Sequence, residues 1–79
     1  MAGLVALETC FVETFALEPG ADVGAFKFQS IPEWDSVGHM QLVAAIEGTF
    51  DVMLETQEVL DMSSLAMAVE ILKRHGVEF

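Results

Sequence analysis

Apolar residues recur at helical spacing near the start of the chain: Leu4, Leu7, Phe11 and Phe15 fall three or four apart, with Glu8 and Glu13 available for the solvent side. The spacing predicts a helix from Gly3 to Leu17. Pro19 and Gly20 follow, and a proline cannot continue a helix without losing a hydrogen bond and clashing with the preceding turn. From Glu18 to Trp34 no period is sustained, yet Val23, Phe26, Phe28, Ile31 and Trp34 fall within the stretch. A long loop this apolar must lie across a core, since otherwise it would leave a sticky surface.

Periodicity resumes at Asp35 and Ser36, both good helix-capping residues. A second helix is expected to run to about Thr49, with Leu42, Val43, Ile46 and Phe50 as its inward stripe. Val37, Met40 and Ala44 lie largely on another side, so this helix is apolar on more than the face a core needs. Asp51 to Glu55 reads as a loop anchored by Val52 and Leu54. Thr56 is expected to cap a short helix through Val59 and Leu60, and Ser63 or Ser64 to cap a last one. In that last helix Leu65, Ala68, Val69 and Leu72 form the inward stripe. Lys73, Arg74, His75 and Gly76 end it, because cations complement a helix C-terminus and glycine takes the left-handed conformation that follows. The expected fold is all-α: a small bundle of three main helices plus one short helix, with a long first loop, forming one domain over residues 1–79.

Composition narrows what such a bundle can do. A 79-residue chain buries only roughly 60% of the surface its unfolded form exposes, which leaves little room for a large active site. Hydrophobic residues make up 53% of it, too many for a disordered acidic tail. Thirteen acidic against three basic side chains give a formal net charge of −10, which repels nucleic acid and anionic lipid and favours protein partners with basic patches. The single cysteine, Cys10, has no partner for an internal disulfide and is read as a small core residue. An export signal is not expected, since no Lys or Arg precedes the first apolar run and Glu8 and Glu13 interrupt it. The expectation is a cytoplasmic protein without a membrane segment.

Candidate catalytic chemistry is sparse. Ser36 and His39 lie three apart, but a nucleophile elbow needs glycine two residues before the serine, and Trp34 stands there. His39 is read as a hydrogen-bonded boundary residue and Trp34 as the residue that packs the loop onto the bundle. Neither His39 nor His75 has the neighbours of a zinc site, and the carboxylates between Asp51 and Asp61 lack the spacing of a calcium loop. No catalytic or metal-ligating residue is expected. Taken alone, Ser36 is a helix cap.

The run Asp35-Ser36-Val37-Gly38-His39-Met40-Gln41-Leu42-Val43-Ala44-Ala45-Ile46-Glu47 resembles the attachment motif of acyl carrier proteins. Phe50-Asp51-Val52, Leu54, the acidic segment Glu55 to Asp61 and a final helix from Ser64 follow in that family's order and spacing. The resemblance implies that Ser36 receives a phosphopantetheine arm from coenzyme A and that Asp35 contributes to recognition by the phosphopantetheinyl transferase. It also implies that Val37, Met40, Gln41, Ala44 and Glu47 form the face offered to partner enzymes with basic patches, among them acyl- or aminoacyl-loading ligases and acyl-processing enzymes. Such a protein holds acyl intermediates of fatty-acid, polyketide or specialised biosynthesis as thioesters and is a monomer without catalysis of its own. Gln41, Gly48 and Thr49 stand where glutamates are common in the family. Two alternatives stay open: a carrier of aminoacyl or peptidyl groups, and a helical adaptor that binds proteins without any prosthetic group.

Overall fold

The computed structural model describes residues 2–18 and 20–79 and is an all-α bundle. Helix α1 spans Ala2–Phe15, α2 Ser36–Phe50, α3 Thr56–Asp61 and α4 Leu65–Arg74, with a single 3₁₀ turn at Val23–Ala25 in the long first connection. The expected three main helices, short helix and long loop are all present. No helix of the described residues is long and apolar enough to cross a membrane.

Leu7, Cys10, Phe11 and Phe15 of α1, Leu42 and Ile46 of α2, and Ala68, Ile71 and Leu72 of α4 share one core with Val23, Trp34 and Met62 from the connections. Two details depart from the sequence reading. Leu4, placed on the inward stripe, is exposed, while Ile71, left off the α4 stripe, is fully buried. Trp34 supplies the centre: its ring stacks on Phe15 at 5.1 Å and meets Phe11 edge-on at 5.4 Å. Truncating a buried aromatic of this size costs about 3–5 kcal/mol, so the loop contributes as much to the core as a helix does. The loop is also held at its middle, where the Phe28 amide donates to the Ser63 carbonyl at 2.9 Å and the Gln29 amide to the Trp34 carbonyl at 2.9 Å.

Helix α1 stops at Phe15, two residues short of the predicted end. Pro19, the stop that the sequence offers, lies outside the described residues. What ends the helix is Ala16 in the left-handed region (φ 52°), with the Leu17 amide reaching back to the Val12 carbonyl at 3.0 Å. This six-to-one bond is the Schellman arrangement, and it recurs at the other two long helices. After α2, Asp51 is left-handed and Val52 bonds Glu47; after α4, Gly76 is left-handed and Val77 bonds Leu72. Each time the residue that closes the motif, Leu17, Val52 or Val77, is apolar and packs on the core.

The N-termini follow side-chain chemistry. Asp35 caps α2 by accepting from the Gly38 amide at 2.8 Å, and Ser64 caps α4 by accepting from Met67 at 3.3 Å. For α3 the expected cap was Thr56, but Glu55 takes that place. Its carboxylate accepts from the Glu58 amide, while Glu58 Oε1 accepts from the Glu55 amide at 3.0 Å. This reciprocal box satisfies two of the donors a helix start leaves open.

Two measurements follow from these helix ends. Replacing Ala16 by glycine removes the cost of a left-handed side chain and is expected to stabilise the fold by about 1 kcal/mol, whereas Gly76→Ala is expected to cost about 1 kcal/mol; opposite shifts in the urea midpoint check both. The second concerns Glu58, whose carboxyl is held below its ordinary range by the Glu55 amide first and by the His75 bond second. Nε2 of His75 lies 2.9 and 3.1 Å from its two oxygens. The folded protein thus keeps this group charged where the unfolded chain binds a proton, so its contribution is present above the ordinary carboxylate range and lost as pH falls through the lowered value. Glu58→Gln is expected to flatten the acid limb of the stability profile, read as denaturation midpoints from pH 7 downwards.

Candidate functional site

Ser36 is the first residue of α2, and its side chain is exposed. The cap of this helix is Asp35, not Ser36, so the serine hydroxyl is free of the role most serines at helix starts fill. Among the described residues that hydroxyl has no hydrogen-bond partner. The backbone amides of Ser36 and Val37 precede the first intrahelical bond, so they too point outward unpaired. A free hydroxyl, two unpaired amides and the positive end of a 15-residue helix meet at one surface point.

From this point two faces of α2 diverge. Gly38, His39, Leu42, Val43 and Ile46 are buried. Val37, Met40, Gln41 and Ala44 are exposed along the opposite side, with Val37 at 66% and Met40 at 56% of their full accessibility. These four stand on one surface next to Ser36. Glu47 is placed differently: it is half-buried, and its Oε2 accepts from the Leu54 amide at 2.9 Å, which ties the 51–55 loop back onto α2.

Gly38 lies under the loop. A Cβ there would collide with the Glu33 carbonyl and sit 3.3 Å from Phe15 Cε1, so only glycine lets the chain before Asp35 press against the first turn of α2. Its importance was not seen in the sequence, where a glycine in a helix start carries no sign of what crosses it.

His39 is buried next to Gly38. The Trp34 indole can only donate, and its Nε1–H points at His39 Nδ1 at 3.0 Å. Nδ1 is therefore the acceptor of a neutral ring, and the proton sits on Nε2, which donates to the Val59 carbonyl at 2.7 Å. That carbonyl belongs to the last turn of α3, where backbone acceptors lack helical partners. The sequence reading of His39 as a hydrogen-bonded residue at the core boundary describes its position, but its two partners were not legible. One is five residues away and the other twenty. The imidazole also walls an apolar cavity of about 90 Å³, shared with Phe28, Leu60, Met62 and Ser63, one helical turn from Ser36.

Cys10 is buried, its Sγ 3.4 Å from the Thr49 hydroxyl. Among the described residues no group of three His, Cys, Asp or Glu side chains is arranged to hold a metal ion.

The two glycines of α2 make a paired test. Gly38→Ala is expected to destabilise by about 1–3 kcal/mol, because the clash is with backbone, while Gly48→Ala, where a Cβ meets nothing within 4 Å, is expected to stabilise by about 1 kcal/mol. Urea denaturation of both variants checks the contrast. No family model, curated protein or solved structure matches the chain, so what this site does rests on its own residues and geometry.

Proposed function

We propose that the protein is a carrier whose Ser36 accepts a phosphopantetheine arm, as the resemblance of the Asp35 to Glu47 run to the acyl carrier attachment motif implies. The observation that carries this reading is the division of labour at the start of α2: Asp35 caps the helix, which leaves the neighbouring Ser36 hydroxyl exposed and unbonded. A transferase needs access to such a hydroxyl. In the transfer, Ser36 Oγ bonds to the phosphorus of coenzyme A that bears the pantetheine, the pyrophosphate P–O bond breaks, adenosine 3′,5′-bisphosphate departs and the hydroxyl proton is lost.

The residues present fit the group. The phosphodiester is an anion, and the unpaired amides of Ser36 and Val37 at a helix N-terminus favour an anion there. Once attached, the arm supplies a thiol that holds cargo as a thioester. The chain's own part is presentation: Val37, Met40, Gln41 and Ala44 give partner enzymes an apolar surface beside Ser36, and the net charge of −10 draws in those with basic patches. The nearby cavity supports a short acyl cargo. An apolar cavity of about 150 Å³ holds benzene, so 90 Å³ has room for roughly four carbons. Its lining offers one hydroxyl, from Ser63, and no charge.

Incubation with coenzyme A, magnesium and a broad-specificity phosphopantetheinyl transferase is expected to add the mass of one phosphopantetheine to the intact protein, and Ser36→Ala is expected to add none. An unchanged wild-type mass, or a gain that persists in the variant, overturns the reading and leaves the exposed face of α2 as a docking surface of an adaptor.

A further inference from the structure

We infer that His39 is a positioning residue: its neutral imidazole bridges the loop that leads into Ser36 and the short helix α3, and holds both in one register for the reaction at Ser36. The inference goes beyond the carrier reading and rests on it only for its kinetic readout.

Three observations support the bridge. Trp34 stands two residues before Ser36, and its indole donates to Nδ1 of His39 at 3.0 Å while the two rings lie nearly parallel, 16° apart. On the other side Nε2–H donates to the Val59 carbonyl at 2.7 Å. Finally, α3 has little else to hold it. Its six residues include no fully buried side chain, and its other side-chain bond to the bundle is Glu58 to His75. Beside the Phe28 amide, which bonds the Ser63 carbonyl just past α3, this ring is the side-chain link between the attachment loop and α3.

The bridge works only in one protonation state. A proton added to Nδ1 would set an N–H against the Trp34 N–H, and a buried donor left without an acceptor is costly. The loop then loses the Trp34 bond to α2. The groups packed on the ring are Phe28, edge-on at 5.3 Å, and Trp34 from the loop, Val59 and Leu60 from α3, and Met62 and Ser63 beyond it. None of these is charged. The nearest charged residues along the chain are Lys27, Glu33 and Asp35 on the loop side and Glu58 and Asp61 on the α3 side. Of these, Asp35 is bonded to Gly38, Glu58 to Glu55 and His75, and Asp61 to Gln57. None bonds His39.

The test compares wild type with His39→Gln, whose amide can accept from Trp34 and donate to Val59 without titrating, and with His39→Leu, which can do neither. In hydrogen exchange the Trp34 indole proton and the amides of residues 27–35 are expected to exchange at least tenfold faster in the leucine variant and within about twofold of wild type in the glutamine variant. In transfer from coenzyme A, the leucine variant is expected to raise the transferase KM for the carrier at least fivefold with kcat within twofold, and glutamine to restore it. Unchanged loop exchange in a folded leucine variant, a transferase KM that this variant leaves unchanged, or a long-range ¹H–¹⁵N spectrum that places the proton on Nδ1 overturns the inference. If the leucine variant does not fold, the loop exchange of the glutamine variant and the tautomer decide. If wild type accepts no arm at all, the carrier reading fails, and the exchange rates still decide whether His39 holds the loop.

Discussion

The hydrogen bond from the Trp34 indole to His39 is the constraint on which the rest of the molecule depends. A chain this short needs large side chains at its centre, and beside Phe11 and Phe15 of α1 the largest is Trp34. It comes from the loop. An indole carries an N–H that must be paired once water is excluded, and His39 of α2 supplies the acceptor. With that bond made, Phe11 and Phe15 of α1 close around the ring from the other side. The tautomer follows as well, since a ring that accepts at Nδ1 must donate from Nε2. So the donor aimed at the Val59 carbonyl of α3 is a consequence of how the core was filled.

That origin explains what could be read from the chain. Helices α1, α2 and α4 were legible because their apolar residues recur three and four apart, and this pattern survives whatever the helices pack against. The exposed serine at the start of α2 was legible for a similar reason, since capping is local chemistry. Helix ends were harder. Proline is a visible stop, but α1 ends earlier, at an alanine in a conformation alanine rarely takes. It does so because Leu17 gains core contact by folding back, as Val52 and Val77 do after their own helices. Sequence shows an apolar residue at each of these places without showing that the chain reverses there. The cap of α3 was missed by one residue, because Glu55 and Glu58 bind each other's amides and Thr56 offers the commoner signal. The partners of His39 depend on tertiary contact alone.

Charge has a comparable division between what is used inside and what is left for the outside. Asp35, Glu47, Glu55 and Glu58 each accept a backbone amide, so four of the thirteen acidic groups serve the fold directly. A carboxylate that accepts a backbone donor keeps its charge, and the long-range field of the protein is almost undiminished by these bonds. In the proposed carrier its net charge acts at a distance on a basic partner, while contact falls to the exposed, uncharged Val37, Met40, Gln41 and Ala44 around Ser36. On that reading attraction and contact are carried by different residues, which lets each be altered without the other.

The fold is weakest at α3. Six residues are too few to hold a helix on their own, because nucleation costs more than one turn of bonds returns. Helix α3 therefore exists by virtue of groups at its ends: the Glu55–Glu58 box at its start, His75 on Glu58, and His39 on its last turn. Met62 anchors the exit, but nothing within the helix is fully buried. Local opening takes the path of fewest buried contacts, and here that path lifts α3 and uncovers the cavity lined by Phe28, His39, Leu60, Met62 and Ser63. His39 is at once a wall of that cavity, a partner of α3 and the acceptor for Trp34, so an opening there reaches the ring that also ties the loop. It frees the Nε2–H of the ring whose other nitrogen holds the loop leading into Ser36. The softest helix and the exposed serine are thus linked through one side chain, and that link follows from the need to pair a single buried indole.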